Sequence, residues 1–538
     1  MIYHFLFWCV VLFCYSIECS IVKLKQGSFR GVKHGNHYRF LGMRYAQPVE
    51  RFRPPVPIIN SQTDSDDLIQ DASKWQNSCP QFPNRPLSGF SRDLLMPRAD
   101  APEDCLFLNV FSPHAPEADS ISTKPVLVFI HGGAFHSGSS SALIYDPSDW
   151  LSQYPSFILV TFDYRLGPLG YMVLPRPSDS KDEDPKMGIA GNGNFGLLDQ
   201  ILAIKWVHEN IGAFGGDASR ITIMGHSAGA MSASWLAALE SSVFSFPISA
   251  YILMSGVGGM WHHRTLEGKF ERLQYDSFLE DTNCTDVECL RGVTVEQMQR
   301  ANERWQTGYT WGPTIDGHLI NAPFHLLQHY NPKAKVLLSA VRDEGSMFVP
   351  DNFEELAGTF FKNKLHNILP FYGRSLNYEV INAILSDGLF ICPMSQFYHA
   401  RKSTNPDNVH FYLLRYPMIL TSLASALNRG KDYGVFHGSD VLMLFGNQRL
   451  LSSTYSTLVT ELRRGLVEFL TTGQLPQESA VWNNRLEGEK MQQDGLFMMS
   501  YENWSAEEEH FCESLWNSTD PLIPKNYKSV LALPESSL

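Results

Sequence analysis

Short apolar runs that stop at glycine or charged residues punctuate this chain, and segments with helical spacing lie between them. Residues 125–130, 157–162, 221–224, 336–339 and 410–414 are five such runs. Their length suits strands, and their predominantly apolar character suits strands covered on both faces. Between the second and third runs, Leu197, Leu198, Ile201, Ile204, Val207 and Ile211 recur at the spacing of one helix face, until Gly212, Gly215 and Gly216 end the pattern. Residues 48–57, rich in proline, read as an irregular surface segment. Strands alternating with helices predict an α/β fold: a mostly parallel central sheet with helices on both faces. Ligands of such sheets bind beyond the carboxyl ends of the strands.

Candidate chemistry falls at those ends. Gly225-His226-Ser227-Ala228-Gly229 follows the third run and precedes an alanine-rich helical segment. A serine between two glycines at a strand–turn–helix junction has the pattern of a nucleophile elbow, with the hydroxyl exposed at the tip. His131-Gly132-Gly133-Ala134-Phe135 ends the first run. Its small residues leave backbone amides bare, so Gly133 and Ala134, together with Ala228, are candidate oxyanion donors. A serine hydroxyl needs an imidazole to take its proton, and the imidazole needs a carboxylate to orient it. Among 18 histidines, position favours His437 in the late loop Phe436-His437-Gly438. For the acid, Asp343 and Glu344 follow the fourth run and Asp316 is a third choice. Pattern alone does not separate them.

Composition places this chemistry. The 538 residues are 44% hydrophobic, enough for a large core, and the formal net charge of −13 argues against a nucleic-acid partner. Residues 1–16 are almost entirely apolar and too short for a comfortable membrane span. They read as a secretory signal peptide, residues 1–19, preceding one hydrolase domain over 20–538; a signal anchor is the alternative. No membrane anchor is evident at the other end. Past the leader six cysteines remain: Cys79, Cys105, Cys284, Cys289, Cys392 and Cys512. An even number in an exported chain predicts disulfides, in any of fifteen pairings. Sequons at Asn283, Asn503 and Asn517 fit glycosylation outside the cell or in the lumen of the secretory pathway.

Together these residues resemble the type-B carboxylesterase and cholinesterase family of α/β-hydrolases, over nearly the whole mature chain. The serine segment from Phe214 to Gly229 matches the family's signature, and Glu103-Asp104-Cys105-Leu106-Phe107-Leu108-Asn109 matches its second. Asn194-Phe195-Gly196-Leu197-Leu198-Asp199-Gln200 and Trp311-Gly312-Pro313-Thr314-Ile315-Asp316-Gly317 are also family-like. The resemblance implies a triad of Ser227, His437 and Glu344, and disulfides Cys79–Cys105, Cys284–Cys289 and Cys392–Cys512. It implies a secreted serine hydrolase acting on small-molecule carboxylic esters without metal or organic cofactor, of unspecified oligomeric state. Departures bear on the substrate. The family usually carries Glu before the serine, where this chain has His226. No tryptophan lies between Cys79 and Cys105, where cholinesterases hold a quaternary ammonium by cation–π attraction. Trp261, His262 and His263 fall where the family builds its acyl pocket. Met43-Arg44 replaces a more usual Ile-Pro. A cholinesterase-like enzyme and a non-catalytic adhesion or binding protein on the same scaffold are the alternatives.

Overall fold

A computed structural model describes residues 18–58, 69–82, 102–116, 124–175, 192–259, 264–305, 310–327, 334–349, 369, 372, 377–415, 433–446, 453–476, 498–500 and 512. The chain forms strands β1 (Cys19–Leu24), β2 (Gly27–His34), β3 (His37–Arg44), β4 (Ile69–Asp71), β5 (Phe107–Ser112), β6 (Lys124–Ile130), β7 (Ile158–Phe162), β8 (Gly216–His226) and β9 (Ala250–Met254). These are followed by β10 (Arg264–Thr265), β11 (Thr314–Ile315), β12 (Lys335–Val341), β13 (Val409–Leu414) and β14 (Met498–Ser500). The large sheet runs in the order β1-β2-β3-β5-β7-β6-β8-β9-β12-β13-β14, with β4 beside β2. From β7 to β13 every neighbouring pair is parallel, and the antiparallel pairs lie toward the two flanks.

The five apolar runs are β6, β7, β8, β12 and β13, and their side chains divide between two cores. Val126, Val128 and Ile130 of β6 enter one cluster, Leu127 and Phe129 the other. Val336, Leu338 and Ala340 of β12 alternate in the same way with Leu337 and Val341. This is the two-residue period of a strand buried on both faces. Fully burying one such Val, Leu or Ile is worth about 1.5–3 kcal/mol relative to exposure. Helix α1 (Phe195–Asn210) covers one face through Leu197, Ile201, Ile204 and Val207, and α2 (Ala228–Val243) joins it through Ala230, Ala233 and Leu236. Helices α3 (Ser439–Phe445) and α4 (Ser453–Thr472) cover the opposite face through Val441, Leu444, Leu458, Leu462 and Leu466.

The six cysteines pair as Cys79–Cys105, Cys284–Cys289 and Cys392–Cys512. Cys19, exposed in β1, is free. Asn283 is exposed in the left-handed conformation that ends a helix. Asn503, Asn517, the leader up to residue 17, and Trp261, His262 and His263 lie outside the described residues. The helical run Tyr378–Thr404 is long and apolar enough to span a membrane, yet 72% of its apolar window is buried inside the protein, as in a core helix.

Candidate active site

Four loops leave the carboxyl ends of β6, β8, β12 and β13, and they carry Gly133, Ala134, Ser227, Ala228, Asp343, Glu344 and His437; Asp316 lies elsewhere, after β11. The tightest is the turn after β8. Ser227 sits at its tip with φ 55° and ψ −122°, a conformation that costs a non-glycine residue about 1–3 kcal/mol. Two glycines permit it. A Cβ on Gly225 would lie 2.1 Å from the Gly229 carbonyl oxygen, and one on Gly229 would lie 2.1 Å from that of Ile130. The Ser227 amide donates to the Met254 carbonyl at 2.8 Å, which pins the turn to the end of β9. Helix α2 starts at Ala228, whose amide is among the first-turn donors that lack an intrahelical acceptor.

Beside the elbow runs the loop after β6. A Cβ on Gly132 would sit 2.8 Å from the His226 carbonyl oxygen and 3.1 Å from Ser227 Cβ, so a larger residue would push the two loops apart. Gly133 and Ala134 have φ of 119° and 53°. Neither amide donates to a backbone acceptor among the described residues. The loop is braced from behind. Gln81 Nε2 donates to the Gly138 carbonyl at 2.9 Å and Gln81 Oε1 accepts from its amide at 2.7 Å, just past the disulfide at Cys79. Ser140 donates to buried Asp163 through its amide at 2.8 Å and its hydroxyl at 3.0 Å.

The loops after β12 and β13 are zipped together. The Arg342 amide donates to the Leu414 carbonyl at 2.9 Å, the Asp343 amide to the Val435 carbonyl at 3.0 Å, and Asp343 Oδ2 accepts the Val435 amide at 2.7 Å. One residue beyond the bridge between Asp343 and Phe436, the chains present Glu344 and His437 to each other. His437 Nδ1 lies 2.6 Å from Glu344 Oε2, and Glu344 Oε1 accepts the Val341 amide at 2.9 Å. The other two candidate acids are engaged elsewhere. Asp343 also accepts from Arg342, and Asp316 accepts the amides of His318 and Ile320. The His437 ring contacts the rings of His226, Phe348 and Phe390 at centroid distances of 4.7, 5.3 and 4.9 Å. His226 immediately precedes Ser227, so this contact ties the elbow to the His437–Glu344 pair.

The carboxylesterase family model matches residues 18–372 of this chain. The chain belongs to the carboxylesterase family. A cholinesterase of Mus musculus is 30% identical over 497 residues, covering 82% of this chain and 77% of the relative. An acetylcholinesterase of Leptinotarsa decemlineata is 29% identical over 507 residues, 82% of this chain and 76% of the relative. The cAMP-regulated D2 protein of Dictyostelium discoideum is 29% identical over 498 residues, 85% of this chain and 84% of the relative. The family is a class of serine ester hydrolases with small-molecule substrates and the α/β-hydrolase fold.

In this carboxylesterase-family chain the motifs outside the elbow are braces for the site. Glu103 and Asp104 form two-pronged ion pairs with Arg51 and Arg44. Arg44, one of the two departures in β3, therefore has a role: it fastens the segment that carries Cys105 to β3. Asn109 accepts the Gly42 amide and donates to Ser140 and Thr161. Asn194 exchanges two 2.8 Å hydrogen bonds with the backbone of Thr314, joining two of the family-like segments. Asp199 holds buried Arg165 at 2.6 and 2.8 Å.

Electrostatics at this candidate site are governed by burial. It pushes the His437 imidazole well below its ordinary value, to about 3, and the Glu344 carboxyl up to about 8. For Glu344 the Ser255 hydroxyl and the Val341 amide oppose the rise, and the charge of Asp343 adds to it. Each charge alone is disfavoured there. A carboxylate and an imidazolium formed side by side would offset part of each other's desolvation. Two polar residues near the pair are ones the sequence reading does not single out. Ser255, at φ 53° beyond β9, sits beside Glu344. Asp440, whose carboxyl burial pushes up to about 7 with Glu344 adding to the rise, lies behind it. A Ser-Gly pair directly after an apolar strand is the one cue that points to Ser255.

Proposed function

We propose that this protein is an exported serine carboxylic ester hydrolase that works through an acyl-enzyme. Ser227 attacks the ester carbonyl while His437 takes its proton, and Glu344 orients the ring and balances the imidazolium. The amides of Gly133, Ala134 and Ala228 receive the oxyanion. His437 then protonates the leaving alcohol, and water repeats the sequence on the acyl-enzyme. No step calls on a metal or organic cofactor. The observation that carries this reading is the buried 2.6 Å contact of His437 with Glu344, one ring away from the strained Ser227 turn. Three disulfides and the exposed sequon Asn283 support folding in an oxidising, exported compartment.

The test is Ser227→Ala, measured with a short-chain aryl ester and a fluorophosphonate probe. Turnover should fall by about 10⁴-fold or more, labelling should vanish, and the thermal melt should stay that of the parent. A folded variant that keeps most of its rate would remove Ser227 as the nucleophile. A parent protein that neither labels nor turns over any ester would favour a binding role instead. A cholinesterase reading has the names of two relatives in its favour. Against it stand His226, which puts no fixed negative charge beside the serine, and the tryptophan-free stretch between Cys79 and Cys105.

A further inference from the structure

His226 is buried, with 7% of its surface exposed, and neither of its ring nitrogens has a hydrogen-bond partner among the described residues. Its place is built. A Cβ on Gly132 would lie 3.1 Å from Nδ1, and one on Gly438 would lie 3.3 Å from Cε1, so a glycine on each side makes room for the ring. The two rings, His226 and His437, meet at 4.7 Å with a 38° tilt. Leaving a buried polar group unpaired is costly, and a functional site is where that cost is tolerated.

We propose that His226 is a positioning residue for the proton relay, a neutral imidazole whose ring packs against the positive charge that forms on His437 during turnover. No bond forms or breaks at His226. When His437 takes the Ser227 proton, the cation lies within 6 Å of an aromatic face, in a space where water is scarce, and such contacts strengthen when desolvated. His226 remains uncharged throughout, because burial and the neighbouring His437 charge both hold its own protonation down. Among the described residues, the other groups around His437 are the Glu344 carboxylate, with Asp343 and Asp440 near it, and the uncharged rings of Phe348 and Phe390. Replacing His226 by a carboxylate would therefore add an anion to a pair that has one, and raise its proton affinity.

This inference rests on the triad reading above. The experiment uses the full chain with H226L, H226F and H226E, following the pH dependence of kcat and kcat/KM for a short-chain ester in a pH-stat. H226L should lower kcat roughly threefold to thirtyfold with KM little changed. H226F, which keeps an aromatic face, should retain most of kcat and the parent's acid limb. H226E should move the acid limb to higher pH by about 1 unit or more, because a nearby anion favours the protonated pair. Parent-like kcat in H226L together with an unmoved limb in H226E would overturn the proposal. If H226E fails to fold, H226L against H226F decides: equal kcat in both overturns it. Failure of the triad reading is seen separately, as absence of fluorophosphonate labelling at Ser227 in the parent.

Discussion

Gly229→Ala isolates what the elbow geometry contributes. The added methyl would lie 2.1 Å from the Ile130 carbonyl oxygen, 2.7 Å from its carbon and 2.8 Å from the His131 oxygen. Ordinary van der Waals contact begins at 3.4 Å, and all three atoms are backbone at the end of β6, so no side chain can swing away. The start of α2 must retreat from the loop after β6 by about 1 Å, carrying the Ala228 amide and the Ser227 hydroxyl with it. Overpacking of this kind costs about 1–3 kcal/mol of stability, which a domain of this size survives. A misplacement of about 1 Å, by contrast, costs about 10²-fold in rate. The expected result is a kcat for a short-chain aryl ester lowered about 100-fold, slower fluorophosphonate labelling, and a cooperative melt at a modestly lower temperature. Gly35→Ala is the control: Gly35 has φ +58° in the turn between β2 and β3, and an added Cβ meets nothing within 4 Å. It should lose stability and keep its rate. A Gly229→Ala enzyme within threefold of the parent would refute the claim that contact between elbow and oxyanion loop sets the rate.

Two further outcomes test neighbouring parts of the reading. Glu344→Gln keeps the size of the side chain but removes the charge that orients His437, so kcat should fall by roughly 10³–10⁴-fold with the melt preserved; an active Gln variant would make another group the orienting acid. Acetylthiocholine should be cleaved no faster than an uncharged thioester of equal size, since His226 supplies no anion to hold the ammonium. A strong preference for the cation in paired kcat/KM measurements would restore the cholinesterase reading.

Sequence alone determined the parts of this protein governed by local sterics and short-range period. Short, predominantly apolar runs read as interior strands, and β6, β7, β8, β12 and β13 lie where those runs predict. The Gly225–Gly229 spacing declared the elbow because only hydrogen fits against the carbonyls of Gly229 and Ile130. The antiparallel flank was not read: β2 and β3 mix charged and apolar residues without clean alternation, and their pairing is a non-local choice. Arg44 looked inert until folding set Asp104 against it. Family resemblance named one carboxylate among Asp316, Asp343 and Glu344, but contact with His437 is a property of the register between two loops. A shift of one residue there would turn Asp343 toward the imidazole and Glu344 away, because neighbouring side chains in extended backbone point to opposite sides. The same holds for His226. The sequence places it next to a serine, and only the tertiary fold brings its ring against His437, 211 positions along the chain.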